Sequence, residues 1–276
     1  MSEAWNAPES ADATAADLVD RRRYPIDRLG EPEGRGFVAR CREQLRTEGV
    51  CTIPGFITPA AQAAMAAEAM RALPRAFFCQ NTHNAYLEPH DDRFPSDHPR
   101  RRRLRTDVGS VAADRLPRDG LLHRLYGWDA MTAFVGAVLE RHPFYRLADP
   151  LGAVSINVFR PGDAHAWHFD ESEFTTTLML QEAEEGGAFE YVPAIRPAEG
   201  EDHAAVGRIL DGDRTGVRRL PFRAGTLSIF GGRRALHRVT AVAGRRPRLV
   251  AVLCYNSRPD VTNSDEVRML FWGRTQ

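Results

Sequence analysis

His165-Ala166-Trp167-His168-Phe169-Asp170 is followed, after 66 intervening residues, by His237, and the reading of the chain turns on whether these imidazoles and this carboxylate meet. In a strand, side chains two residues apart project from one face, so His168 and Asp170 are expected to point together into whatever the sheet encloses. His237 opens a later strand-like run and supplies a third ligand once the intervening strands return the chain to the same mouth. Two imidazoles and one carboxylate on one side of an ion form a facial triad with three open positions, the arrangement suited to Fe(II) and O2 activation without haem. His168, Asp170 and His237 are therefore the candidate metal ligands and catalytic residues.

From Gly152 onward the chain reads as short β-type runs over 153–159, 174–181, 188–192, 226–230, 236–242 and 248–255. Turn signals separate them: Pro161-Gly162-Asp163, Gly186-Gly187, Gly231-Gly232 and Ala243-Gly244. The first half is helical in texture. Apolar residues recur at helical spacing over 37–46 and stop at Gly49, where a left-handed cap is easiest, and 50–54 then reads as a short strand. Thr58-Pro59 is an N-cap followed by proline at the first helical position, opening an Ala- and Met-rich helix that ends before Pro74. A further helix is predicted from Gly120 to about Arg141, on Leu121, Leu125, Met131 and Phe134. Between Cys79 and Pro117 the polar, arginine-rich sequence reads as a long loop, and 197–221 reads as a polar surface excursion with one weak helical patch.

These patterns predict a mainly β chain with a helical N-terminal half, a sandwich or barrel buttressed by helices. The expected layout is a disordered tail over 1–17, a helical support and substrate-loop region over 18–149, and a β core over 150–276, all in one integrated domain. A chain of 276 residues with 43% hydrophobic and 27% charged residues is long enough for one large core. Its 37 basic and 37 acidic residues cancel, which argues against nucleic acid as a partner. Every basic residue is arginine. Schiff-base chemistry, a pyridoxal aldimine and the phosphate-loop lysine are thereby excluded. Cys41, Cys51, Cys79 and Cys254 form no paired motif, so neither a zinc knuckle nor a disulfide framework is indicated, and a reducing cytoplasm fits. With no signal-peptide layout and no apolar run near the ~18 residues of a membrane span, a soluble cytoplasmic protein is expected.

The surroundings of the triad carry further information. Asn157 to Asp163 read as a strand and turn that deliver it. Glu185-Gly186-Gly187-Ala188-Phe189 and Gly225-Thr226-Leu227-Ser228-Ile229-Phe230 precede His237-Arg238-Val239-Thr240, and Gly244-Arg245-Arg246-Pro247-Arg248 comes after it. In this order the motifs resemble the Fe(II)/2-oxoglutarate-dependent dioxygenases, over roughly residues 150–256. The resemblance implies a double-stranded β-helix, or jelly roll, with Fe(II) as cofactor and 2-oxoglutarate and O2 as co-substrates. A 2-oxoglutarate carboxylate needs a cation, and arginine's planar fork binds it bidentately. Arg246 and Arg248 share strand parity and either can face inward; the clean strand that opens at Arg248 favours that residue. Arg245 faces the other way.

The stretch Trp167 to Leu178 and the C-terminal Leu270-Phe271-Trp272-Gly273-Arg274 are similar to one branch of this family, free-amino-acid hydroxylases and radical halogenases. In those halogenases a small residue replaces the triad carboxylate so that chloride can bind iron. Asp170 fills that position here, so the resemblance implies hydroxylation of an unactivated C–H. The implied substrate is a small molecule, a free polar or cationic L-amino acid. His165, Glu171, Asn256 and Trp272 match the branch's substrate shell, with Arg105 and Asp149 as contributors from the helical half. The non-functional readings are a turn histidine at His165, an apolar anchor at Trp272 and a strand-end cap at Asn256. His83, His90 and His98 have no ligand spacing. Two alternatives stand beside the hydroxylase: a prolyl-hydroxylase-like enzyme acting on a peptide or protein through an open groove, and a cupin-like metal-binding barrel without oxygenase activity, which needs no arginine at its base. The sequence leaves a homodimer open.

Overall fold

The computed structural model describes residues 14–172, 174–197 and 200–276. Residues 1–13 of the expected tail lie outside the described residues. Residues 14–17, expected in the same tail, are folded instead: Asp17 accepts hydrogen bonds from the amide and hydroxyl of Thr14, and the turn α1 (Ala15–Leu18) buries Leu18. Helix α2 (Pro32–Glu48) starts on proline and ends at Gly49, whose φ of 74° lets its N–H reach the Leu45 carbonyl. The Thr58 hydroxyl accepts from the Ala61 amide at 3.2 Å and caps α3 (Pro59–Ala72). The helix expected over 120–141 is two helices, α4 (Leu121–Gly127) and α5 (Asp129–Val138), because Trp128 takes an extended backbone between them. The apolar spacing runs through the break because both helices pack on one core.

The strands in chain order are β1 (Val50–Ile53), β2 (Phe77–His83), β3 (Leu104–Val111), β4 (Tyr145–Arg146), β5 (Val154–Phe159), β6 (His165–His168) and β7 (Phe174–Gln181). They continue as β8 (Glu185–Gly186), β9 (Phe189–Val192), β10 (Arg218–Arg219), β11 (Leu227–Phe230), β12 (Leu236–Val239), β13 (Val242–Ala243) and β14 (Arg248–Asn256). The major sheet has the order β1-β11-β7-β14-β5-β3-β2 with β4 beside β14; the minor sheet has the order β10-β9-β12-β6; β8 pairs with β13. The strand expected over 236–242 is divided between β12 and β13.

One expectation about loops is corrected, and the helical patch expected within 197–221 is present. The segment from Cys79 to Pro117 contains most of a seven-pair antiparallel hairpin, β2 with β3, at the edge of the major sheet. Its exposed edge strand carries polar residues such as Gln80 and Asn81, so it lacks the apolar alternation by which strands are recognised. The 197–221 excursion contains α6 (His203–Leu210), capped by Asp202, which buries Val206 and Ile209 beside Trp167 and Phe169.

Period-2 alternation gives the major sheet two chemically different faces. Leu249, Leu253 and Tyr255 of β14 and Val154, Ile156 and Val158 of β5 pack with the helices. Arg248, Val250 and Cys254, with Ser155, Asn157 and Phe159, face a cavity between the sheets. The helical N-terminal half thus exists to cover one apolar face, which leaves the other free to be polar.

A C-terminal helix, α7 (Asp265–Trp272), closes one wall of the cavity. A single buried carboxylate ties it down. Asp149 accepts from the Leu151 and Gly152 amides at 2.9 and 2.7 Å, from the Asn263 amide at 2.8 Å, and from Arg268 Nε and Nη2 at 2.9 and 2.8 Å. Among the described residues no helix is long and apolar enough to cross a membrane. Removing one partner of a buried pair strands the other charge. Arg268→Met is therefore expected to lower the unfolding free energy by about 3 kcal/mol in urea denaturation; a loss under about 1 kcal/mol would show that the pair contributes little.

Candidate metal centre

Strands β6 and β12 are hydrogen-bonded neighbours, and their register sets His168 directly opposite His237. The Nδ1 of each ring lies 2.8 Å from the carbonyl two residues earlier, Ala166 for His168 and Ala235 for His237. A carbonyl can only accept, so Nδ1 carries the proton and Nε2 presents its lone pair. Both Nε2 atoms face Asp170 Oδ1, at 3.5 Å from His168 and 3.4 Å from His237. One ligand atom from each residue lies within 4.8 Å of the other two, the compact donor set that a divalent ion requires.

Asp170 reaches this position by a route that strand parity does not describe. Strand β6 ends at His168. The chain then bends, as the Phe169 amide donates to the Ala85 carbonyl at 2.8 Å and the Asp170 amide to Gly232 at 3.1 Å. The Thr175 hydroxyl donates to Asp170 Oδ2 at 2.6 Å, leaving Oδ1 for the imidazoles. Gly232 makes the approach feasible, because a Cβ there would fall 2.0 Å from Oδ2.

Electrostatics suit the metal-binding protonation states. Burial raises the Asp170 carboxyl, but the charges and hydrogen bonds of His237 and His168 outweigh it and hold the group well below the usual carboxylate range. Burial, reinforced by the charge of His237, lowers the His168 pKa and favours the neutral imidazole that ligates metals.

The same cavity, about 940 Å³ with its mouth included, contains Arg248. Its side chain is buried between the faces of Phe159 and Phe222, at 5.3 and 5.8 Å, and its Nε has no partner. No carboxylate pairs with it among the described residues. Burial alone pulls its pKa down to about 9. Arg246 lies outside the cavity lining: it precedes β14 in an exposed turn, where parity does not apply, and its Nε donates to the Glu182 carbonyl at 2.9 Å.

Of the predicted substrate positions, the structure brings three to the cavity. His165 is buried with its ring stacked on His168 at 3.7 Å, and its Nε2 has no partner. Trp272, from α7, is buried with an unpartnered Nε1. Glu171 lines the cavity, and its Oε2 accepts from the Ser264 amide at 2.9 Å. The others go elsewhere. Asn256 turns its side-chain oxygen to the Arg258 amide at 2.9 Å, a strand-end cap outside the cavity lining. Arg105 lies exposed on β3 in a bidentate pair with Asp107. Asp149 is committed to Arg268.

Sequence reasoning missed the polar cavity face of Ser155, Asn157, Thr175 and Thr177, for which alternate polar residues in the β5 and β7 runs were the available signal. It also missed His83, whose ring stands 6.1 Å from His168 and 5.8 Å from His165. Its Nδ1 donates to the Asn84 carbonyl at 2.8 Å, and its Nε2 accepts from the Thr106 hydroxyl at 2.6 Å. Burial first, then the charge of His168, pushes the His83 pKa down to about 4.

The family model for Halogenase D matches residues 34–269. The chain belongs to the halogenase D family. Solved structures similar to this family member include an oxidoreductase of the 2OG-Fe(II) oxygenase family from Burkholderia pseudomallei, at 16% identity over 81% of this chain and 92% of that one, with a TM-score of 0.50. The 2-oxoglutarate-dependent epimerase SnoN of nogalamycin biosynthesis shares 17% identity over 80% of this chain and 81% of its own, with a TM-score of 0.57. HygX from Streptomyces hygroscopicus, solved with nickel, 2-oxoglutarate and hygromycin B, shares 15% identity over 79% of this chain and 86% of its own, with a TM-score of 0.52. These likenesses are of fold, and they bear out the expected jelly roll of the 2-oxoglutarate oxygenases. The comparison with curated proteins finds no match. The halogenase D family member thus joins the oxygenase fold to a His-Asp-His triad.

Gly232→Ala is expected to weaken Fe(II) binding by about 10–100-fold without changing the far-ultraviolet circular dichroism; unaltered affinity would show that Gly232 does not position Asp170. For His83 the folded pKa lies below the ordinary 6.5, so its contribution to stability is present above that pH and is lost as pH falls toward about 4. The loss is on the order of 3 kcal/mol. In metal-free protein, His83→Gln should flatten the decline of unfolding free energy over this window; an identical slope would contradict the assignment.

Proposed function

We propose that this halogenase D family member is an Fe(II)/2-oxoglutarate-dependent oxygenase that hydroxylates an unactivated C–H of a free polar or cationic L-amino acid. The observation that carries this reading is the buried, unpaired Arg248 in the same cavity as the triad. His168 and His237 would hold Fe(II) through Nε2 and Asp170 through Oδ1. Arg248 would take the distal carboxylate of 2-oxoglutarate as a fork, and the anion would relieve a cation that has no protein partner. When bound, iron and the co-substrates supply oxygen transfer: 2-oxoglutarate and O2 yield succinate and CO2 while C–H becomes C–OH.

Asp170 directs the outcome. Thr175 and Gly232 hold its carboxylate against both imidazoles, in the place that a halide would need, and this supports hydroxylation despite the family's description. On the substrate side, Glu171 offers an acceptor for an ammonium group, and the buried Trp272 N–H offers a donor for a carboxylate. Val267, Phe271 and Trp272 of α7 exclude water from that side and favour a small substrate over a peptide lying in an open groove. A barrel without oxygenase activity needs no cation at its base, and Arg248 speaks against it. Four buried, unbridged cysteines support a reducing, cytoplasmic setting.

Aerobic incubation with Fe(II), 2-oxoglutarate, chloride and a panel of L-amino acids should give, by mass spectrometry, a one-oxygen gain with matching succinate and no chlorinated product. Oxygen gain on a peptide or lipid alone would contradict the substrate class. Arg248→Met should lower 2-oxoglutarate affinity at least 100-fold while raising the stability of the metal-free protein by roughly 1–3 kcal/mol; a destabilised variant that still binds 2-oxoglutarate would contradict the role of Arg248.

A further inference from the structure

A short loop, Asn84-Ala85-Tyr86-Leu87-Glu88, places Leu87 in the cavity lining beside α7, and its backbone is unusual. Leu87 has a φ of 55°, the left-handed region that a bulky side chain rarely adopts and that glycine takes without strain. One buried side chain enforces it. Asn84 accepts from the Tyr86 and Glu88 amides at 3.0 and 3.2 Å through Oδ1, and donates to the Glu88 and Arg100 carbonyls at 2.9 and 2.7 Å through Nδ2. The Leu87 amide returns to the Asn84 carbonyl at 3.2 Å. All four hydrogen-bonding positions of the amide are used within this loop and the turn at Arg100.

The loop is tied to the metal centre, since the Ala85 carbonyl accepts from the Phe169 amide at 2.8 Å and the Tyr86 ring packs on Phe169 at 5.2 Å. The strained leucine therefore sits in fixed relation to His168 and Asp170. Its side chain lines the cavity and packs against the apolar cluster that contains Val267 and Trp272 of α7. A glycine would close the same turn without strain, so what this position gains from leucine is the side chain. Strain retained at the edge of a cavity motivates a functional role for the side chain that bears it.

We infer that Leu87 is a specificity-determining residue, which together with Val267 and Trp272 sets how large a substrate the cavity admits beside the triad. The inference rests on the oxygenase reading. It is independent of which amino acid is the substrate, because it concerns width and not charge.

The test compares wild type with Leu87→Ala and Leu87→Gly, each loaded with Fe(II), on free L-amino acids graded by side-chain length. Both variants should retain 2-oxoglutarate binding by calorimetry and shift the kcat/KM ratio of long to short amino acids at least tenfold toward the longer. Leu87→Gly should also unfold at a higher urea concentration than Leu87→Ala. A ratio within twofold of wild type, with 2-oxoglutarate binding intact, overturns the inference and leaves the oxygenase reading standing. If wild type accepts no amino acid, succinate released from 2-oxoglutarate alone is measured: a threefold or greater rise in Leu87→Gly supports Leu87 as the wall that excludes water, and unchanged release overturns it. Failure of wild type to bind 2-oxoglutarate overturns the oxygenase reading and this inference with it.

Discussion

A guanidinium buried without a counterion is the constraint around which this barrel is arranged. Taking an isolated cation out of water is unfavourable by several kcal/mol, and a fold keeps such a group only where a ligand completes it. Arg248 is the first residue of the strand at the centre of the major sheet, between β7 and β5. Phe159 and Phe222 flank it, and Gly187, at a φ of 60°, leaves room where a Cβ would come 3.0 Å from its Cδ. The one negative group of the triad does not pair with it, because the Thr175 hydroxyl and the turn at Gly232 hold the carboxylate of Asp170 against the two imidazoles. Cation and carboxylate are thus kept apart in one cavity, and the proposed function gives them different ligands, an anionic co-substrate for one and a metal for the other.

The alternation of the strands makes this arrangement structurally possible. One face of the major sheet is apolar and covered by helices, and it supplies the burial on which the fold rests. The opposite face is released from that duty and can carry serines, threonines, an asparagine and an arginine. The minor sheet contributes the two histidines on adjacent strands, and backbone carbonyls fix their tautomers. The turn at Gly232 gives the Asp170 carboxylate its room beside both histidines.

Much of this was legible in the sequence because it depends on local rules. The helix ends at Gly49 and Thr58 and the strand runs after Gly152 follow from capping and period-2 texture, and the His-Asp-His set from ligand chemistry, although Asp170 is delivered by a bend past β6 and not by strand parity. What could not be read depends on partners far along the chain. Asp149 looks like a free carboxylate until Arg268, in a different element, is folded against it. Arg105 looks available until Asp107 occupies it. The β2–β3 hairpin is an edge whose polar strand carries no apolar period. The left-handed backbone at Leu87 leaves no mark on the sequence, because an asparagine three residues earlier imposes it.

The central claim is that His168, Asp170 and His237 hold Fe(II) while Arg248 anchors 2-oxoglutarate beside it. It is tested most directly under anaerobic conditions by adding Fe(II) and then 2-oxoglutarate to metal-free protein and recording the visible spectrum. The account predicts a weak charge-transfer band of chelated 2-oxoglutarate in wild type that is absent in His168→Ala. Binding of the metal with no such band would contradict it.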